Sequence, residues 1–394
     1  MGFDEIRSKD QAFVAGTYNR FPVALDRGKN ATCWDVEGNE YIDFTSGIGV
    51  NALGFADPCW LEAVKGQLDK LQHTCNLFYN QSVVDAAEAL CVKSGMRKAF
   101  FANSGCEANE CAIKAARKYS FDKYGEGRST IVTLVNSFHG RTVTTVSATG
   151  QDSFHKYFMP FTPGFVYAKP ELSDALPKLD KSVCAVMMEM VQGEGGIVPL
   201  DADFVREVAA YCQERDILVI ADEVQTGIGR TGSFFASEQY GIEPDIITCA
   251  KGLGAGLPIG AALFNGKTQS VLGPGDHGST FGGNPVVCAG AVEVIARVDG
   301  VLLESVREKG VYIAEKLKRL HGVKSVTGLG LMLGVEFEGM TAQQVVAEGI
   351  KKGVLTLTAK QKLRLLPPLT ITYPEIDRGL AALTAAIGSL EGGN

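Results

Sequence analysis

Along the middle of the chain, short runs of consecutive apolar residues alternate with segments whose apolar positions recur every three to four residues. The runs lie at 99–102, 130–135, 183–188, 217–221, 245–250 and 260–264, bounded by Gly, Asn or Asp. Strands apolar on both faces are strands covered by helices on both sides. Between them, 201–214 places Phe204, Val205, Val208, Tyr211 and Cys212 on one helical face. This alternation predicts an α/β layer built on a mainly parallel sheet. Past Pro285 the pattern changes to long helices at 285–298 and 301–320, then strands near 323–327 and 331–337. A closing helix carries Ile376, Leu380, Leu383, Ile387 and Leu390 at steps of four and three. We therefore expect a large domain at 51–285, a smaller α+β domain at 286–394, and residues 1–50 packing with the small one.

Composition narrows the class. The 394 residues include 45% apolar and 21% charged positions, which excludes a disordered or collagen-like chain despite 46 glycines. With 38 basic against 45 acidic residues the net charge is −7, which argues against nucleic acid as the partner. Ten scattered cysteines with no C-x-x-C suit a reducing compartment better than a disulfide framework or a zinc site. The start Met1-Gly2-Phe3-Asp4 lacks the features of a signal peptide, and no run approaches the ~18 apolar residues of a membrane span. A cytoplasmic protein with no membrane partner is the expectation.

In α/β sheets, ligands bind beyond the carboxyl ends of the strands. The run at 217–221 leads into Asp222-Glu223-Val224-Gln225, and that at 245–250 into Lys251 and a glycine-rich stretch. The run at 99–102 leads into Asn103-Ser104-Gly105-Cys106 and a helix. A lysine in apolar surroundings loses proton affinity and becomes a Schiff-base nucleophile; alternatively it is only a strand-end lysine reaching for water. The N–H groups at Gly105 and Cys106 suit a phosphate, or Asn103 or Ser104 simply caps the helix. Other motifs fail. Gly227-Ile228-Gly229-Arg230-Thr231-Gly232 matches G-x-G-x-x-G but sits five residues past the strand, too far for a dinucleotide fingerprint. The glycine spacing at 273–279 is that of a P-loop, with Ser279 where lysine is required. No serine lies in G-x-S-x-G, and the five histidines show no metal-ligand spacing, so no metal is expected.

Taken together, Phe138-His139-Gly140-Arg141-Thr142, Asp222-Glu223-Val224-Gln225-Thr226-Gly227, Cys249-Ala250-Lys251-Gly252 and Gly278-Ser279-Thr280-Phe281-Gly282-Gly283-Asn284-Pro285 resemble the class III aminotransferases that use pyridoxal phosphate. The likeness runs from Tyr18 to Pro368. Residues 34–41, 49–54 and 76–80 are most similar to members acting on N2-acetylornithine. The resemblance implies the fold type I of pyridoxal-phosphate-dependent transferases and a homodimer with shared sites. Lys251 would bind the cofactor aldehyde and carry the proton of the reaction, and Asp222 would pair with the pyridine nitrogen. Gln225 would meet the ring hydroxyl and Phe138 would stack on the ring. Gly105 and Cys106 would grip the phosphate; relatives usually carry Thr or Ala at 106, so Cys could remove a hydroxyl contact. Ser279 and Thr280 would reach the phosphate or substrate of the other subunit.

The implied substrates pose a charge problem. A diamino acid presents its terminal amine with its carboxylate far away, whereas 2-oxoglutarate presents a second carboxylate beside the reacting carbon. Arg141 would hold the distant carboxylate, Arg364 the nearer one, and Glu194 would pair with Arg364 when that carboxylate is absent. Without the resemblance, Arg364 reads as an edge-strand charge and Glu194 as a loop carboxylate. Tyr18 would contact the substrate carboxylate. Ile48 replaces a tyrosine of the ornithine-type members, which favours an acylated amine over a free α-ammonium. The implied reaction makes N-acetylglutamate semialdehyde and glutamate from acetylornithine and 2-oxoglutarate, and belongs to arginine synthesis. The competing readings are another ω-aminotransferase (for succinylornithine, succinyldiaminopimelate, ornithine or 4-aminobutyrate), a nucleotide-dependent dehydrogenase, and a non-catalytic scaffold. Phe55-Ala56-Asp57-Pro58 departs from the histidines usual in relatives.

Overall fold

The computed structural model describes residues 1–391. Its centre is a seven-stranded sheet in the spatial order Lys98–Ala102, Gly260–Phe264, Ile246–Cys249, Leu218–Asp222, Val183–Met188, Thr130–Leu134, Phe165–Ala168. Only Gly260–Phe264 runs against its neighbours; the other pairings across the sheet are parallel. The strands at 183–188, 218–222 and 246–249 are buried at every residue, as their unbroken apolar runs require. The edge strand Phe165–Ala168 was not expected. Its four residues alternate in burial and leave Val166 exposed, so it lacks the solid apolar run that marks the central strands.

Helices Gly105–Tyr124 and Ala202–Glu214 pack on the sheet, the second burying Phe204, Val205, Val208 and Cys212. Helix Pro285–Arg297 begins at Asn284, whose side chain accepts from Val286 and Val287 N–H, and packs on helices Pro58–Leu68 and Gln81–Ser94. Asp57 belongs to this contact. It caps Pro58–Leu68 by accepting from Trp60 N–H at 3.1 Å and pairs with Arg297 at 3.2 Å. This gives Asp57 a structural role.

The C-terminal part holds a four-stranded antiparallel sheet in the order Val323–Leu329, Met332–Phe337, Lys362–Leu365, Leu357–Ala359. A further sheet joins both ends of the chain, because Glu40–Asp43 pairs in parallel with Val354–Leu355. Leu366 N–H also donates to Phe44 C=O at 2.7 Å. The final helix, Tyr373–Glu391, buries Ile376, Leu380, Leu383 and Ile387, the stripe visible in the sequence. Helix Phe3–Phe13 buries none of its residues.

Candidate active site

Six strands of the central sheet end at one edge, and the reversed strand begins there, so several loops converge on one place. A cavity of about 350 Å³ opens at that edge, lined by Gly105, Cys106, Phe138, Arg141, Asp222, Gln225 and Lys251 among others. Asp222 closes its strand one residue later than the apolar run suggests, and Lys251 follows the neighbouring strand by two residues.

Lys251 starts a short 3₁₀ turn, Lys251–Gly254, with φ of 45°. That left-handed conformation costs an L-residue roughly 1–2 kcal/mol, so the surrounding packing must hold it. Its amine lies deep among neighbouring atoms. Burial lowers its pKa from 10.5 to about 8; Glu194 opposes the shift and Arg364 adds to it. The group therefore changes protonation near neutrality.

Asp222 is 3% exposed and firmly oriented. Its Oδ2 accepts from Asn109 Nδ2 at 2.8 Å and meets His139 Nδ1 at 2.7 Å, while Oδ1 accepts from Val224 N–H at 3.0 Å. Neither Asn109 nor the orienting role of His139 was read from sequence, because both contacts span more than eighty residues. Glu189 was missed too, although it directly follows the strand Val183–Met188 and the strand-end rule points to it. Its two oxygens accept from Phe138 N–H at 2.8 Å and Gly193 N–H at 3.1 Å, tying the aromatic loop to the loop that bears Glu194. Burial pushes its carboxyl well above the usual range, against the pull of His139.

At the helix start, Ser104 is the cap, accepting from Glu107 N–H at 3.3 Å. The N–H groups of Gly105 and Cys106 sit where a helix has no internal acceptors. A Cβ on Gly105 would stand 2.5 Å from the Val224 side chain, so only glycine fits there. The Cys106 Sγ lies 3.1 Å from Ser104 Oγ. Phe138 packs edge-on against Phe154 with ring centroids 5.5 Å apart, and the Arg141 guanidinium lies 4.4 Å from the Phe154 ring centre.

Arg364, 4% exposed on its strand, forms an ion pair with Glu194. Burial drives the Glu194 carboxyl upward, but the charge and hydrogen bond of Arg364 outweigh it and the net shift is downward. Glu194 and Arg364 are not part of the cavity lining, and three further expected residues lie in other hollows. Tyr18 is 74% exposed, in a separate hollow with Arg20 and Leu355. Ser279 and Thr280 line another cavity, and Ser279 Oγ accepts from Asn103 Nδ2 at 3.2 Å.

A family model for class-III aminotransferases matches residues 13–387. The chain belongs to that family. An acetylornithine aminotransferase of Haemophilus ducreyi is 51% identical over 393 residues, covering 99% of this chain and 100% of the relative. The crystal structure of the ornithine aminotransferase from Toxoplasma gondii superposes with a TM-score of 0.96 at 30% identity, covering 100% of this chain and 97% of that one. The N-acetylornithine aminotransferase from Stenotrophomonas maltophilia gives 0.85 at 32% identity, covering 98% of this chain and 100% of that one.

This class-III aminotransferase is a transaminase that uses pyridoxal 5′-phosphate. The cavity fits that cofactor. It offers an oriented carboxylate at one side, an amine of lowered pKa, and free N–H groups at a helix start. The buried Gln225 Oε1 and His139 Nε2 lack partners among the described residues, as atoms awaiting a polar ligand do. Membership of the class-III aminotransferases replaces the dehydrogenase reading. The run at 227–232 is buried and lies outside the cavity.

Proposed function

We propose that the chain transfers the terminal amine of N2-acetyl-L-ornithine to 2-oxoglutarate, a step of arginine biosynthesis. The observation that carries this reading is the Arg364–Glu194 pair, close enough to Lys251 that both charges act on its amine, while Arg141 and Phe138 line the cavity that Lys251 also lines. One site thus holds a permanent carboxylate receptor and a second that an internal glutamate can cover. The relatives named acetylornithine aminotransferase, at up to 51% identity, support the choice of donor.

Bound pyridoxal phosphate supplies an electron sink and a temporary carrier for the amine. The chain's residues do the rest. Lys251 Nζ takes and returns a proton, a task suited to a pKa near 8. Asp222, held by Asn109 and His139, would keep its carboxylate against the pyridine nitrogen. Phe138 would cover the ring face, Gln225 would meet the ring hydroxyl, and Gly105 and Cys106 N–H would hold the phosphate. Arg141 takes the distant carboxylate of either substrate, and Tyr18 is assigned to the substrate carboxylate as well. When the amine donor is bound, Glu194 covers Arg364; with 2-oxoglutarate, the nearer carboxylate replaces it.

We place Ser279 and Thr280 in the site of a second subunit of a homodimer, and the cytoplasm as the compartment in which it works. The exposed Leu77, Phe78, Tyr79 and Phe281 support this, since a patch of large apolar side chains marks an interface. We divide the chain at 51–285 and 286–394, with 1–50 on the latter; the pairing of Glu40–Asp43 with Val354–Leu355 supports the placement of the N-terminal segment.

Initial rates with acetylornithine, succinylornithine, succinyldiaminopimelate, ornithine and 4-aminobutyrate at fixed 2-oxoglutarate test the reading. The expected order puts acetylornithine first in kcat/KM; a preference for 4-aminobutyrate or free ornithine contradicts it.

A further inference from the structure

The glycine-rich run at 227–232 lies outside the cavity and takes no part in the roles above, yet it is a tightly specified turn. Ile228, Gly229 and Gly232 have φ of 56°, 85° and 93°. A Cβ on Gly229 would stand 2.9 Å from the Val298 side chain, and one on Gly232 2.5 Å from Arg307. At its centre Arg230 is 2% exposed. Its Nη1 donates to Leu331 C=O at 3.0 Å and to Pro367 C=O, while its own C=O accepts from Leu331 N–H at 3.0 Å. Nη2 has no partner among the described residues, and the nearby anion that favours the charge is Asp43, itself buried. Burying a guanidinium with so little compensation is expensive, and an apolar side chain of similar volume would often cost less.

The groups that Arg230 joins show what it does. Pro367 lies three residues beyond Arg364. The intervening Leu366 is fastened by its N–H to Phe44 C=O at 2.7 Å and by its C=O to Ser46 Oγ at 2.6 Å. On the other side, Gly252, next to Lys251, packs so that a Cβ there would meet Ile228 Cβ at 3.4 Å and Ala52 Cβ at 3.5 Å. Arg230 thus stands between the turn that carries Lys251 and the strand end that carries Arg364.

We propose that Arg230 is a positioning residue: by gripping the Leu331 and Pro367 carbonyls it sets where Arg364 stands over Lys251, and so governs recognition of the amine acceptor's nearer carboxylate. This rests on the reading of Arg364 given above. Both bonds leave one nitrogen, Nη1, which stands one bond farther from Cα than a lysine Nζ, so a lysine at 230 falls short of the two carbonyls.

The test is steady-state kinetics of the holoenzyme with Arg230→Lys, beside Arg364→Lys as a control. Misplacing a binding group by an ångström can cost up to about a hundredfold, so Arg230→Lys should raise KM for 2-oxoglutarate by about tenfold or more. KM for acetylornithine should change by less than about twofold, because Arg141 holds that substrate, and the bound-cofactor absorbance should not move. Equal rises in both KM values, or no rise, overturn the proposal. A selective effect of Arg364→Lys without one in Arg230→Lys sinks this inference alone; no effect of Arg364→Lys sinks the site reading beneath it. If Arg230→Lys does not fold, Asp43→Asn is read in the same way. It keeps an acceptor for Thr45 and Ser46 N–H while removing the charge that favours Arg230. A selective rise in KM for 2-oxoglutarate supports the proposal there, and its absence overturns it.

Discussion

Residue 251 combines a backbone conformation that L-residues avoid with an amine whose pKa burial has lowered to about 8. Two predictions belong at this scale. Lys251→Ala should cut turnover by about 10⁴-fold, the upper range for a positioned acid–base group, while noncovalent cofactor binding survives; multiple turnovers at a tenth of the normal rate would contradict the assignment. In the apoprotein, the rate at which Lys251 captures added cofactor should rise with pH around a midpoint near 8, measured by stopped-flow absorbance; a midpoint at the ordinary 10.5 would contradict it. The linkage has a definite sign. A lysine whose pKa falls on folding leaves the unfolded chain with more bound protons between about 8 and 10.5, so apoprotein stability should rise with pH across that window. Lys251 and Asp222 were legible in the sequence because each follows an apolar run that must be a strand. The partners of Asp222 were not, since nothing in the local pattern around Asn109 or His139 says that a chain segment over eighty residues away will face them.

Elements explain why these groups meet. Parallel strands send their carboxyl ends to one edge, and the helix at Gly105–Tyr124 starts there with free N–H groups. Gly105→Ala should therefore weaken cofactor binding by about tenfold without unfolding the protein, because one shifted phosphate contact is a modest loss. Fluorescence titration of apoprotein checks this, and unchanged affinity would count against the cradle. The loop bearing Glu194 and the strand bearing Arg364 act as a pair. Glu194→Ala should slow the acetylornithine half-reaction about tenfold more than the glutamate half-reaction, since leaving Arg364 uncovered is costly only when no substrate carboxylate reaches it. Equal losses in single-turnover measurements of both halves would contradict the switch. The central strands and long helices could be read from periodicity, and Ser104 from its place before a helix. The edge strand Phe165–Ala168 and the sheet made by both chain ends could not. The first is short and half exposed, and the second depends on Glu40–Asp43 finding Val354–Leu355 across three hundred residues.

At the scale of the whole molecule, Ser279 and Thr280 line a hollow other than the one that holds Lys251, and Leu77, Phe78, Tyr79 and Phe281 are exposed. Replacing Leu77 and Phe78 together by Asp should yield a folded monomer in sedimentation velocity, with turnover down by more than about tenfold because two charges at an apolar interface are not tolerated. A variant that stays dimeric and fully active would contradict the shared site. Every role in this account depends on where the cofactor is attached. Holoenzyme reduced with borohydride, digested and mapped by mass spectrometry should carry the pyridoxyl mass on the peptide containing Lys251 and nowhere else; an adduct on another lysine, or none in coloured protein, would contradict the whole scheme.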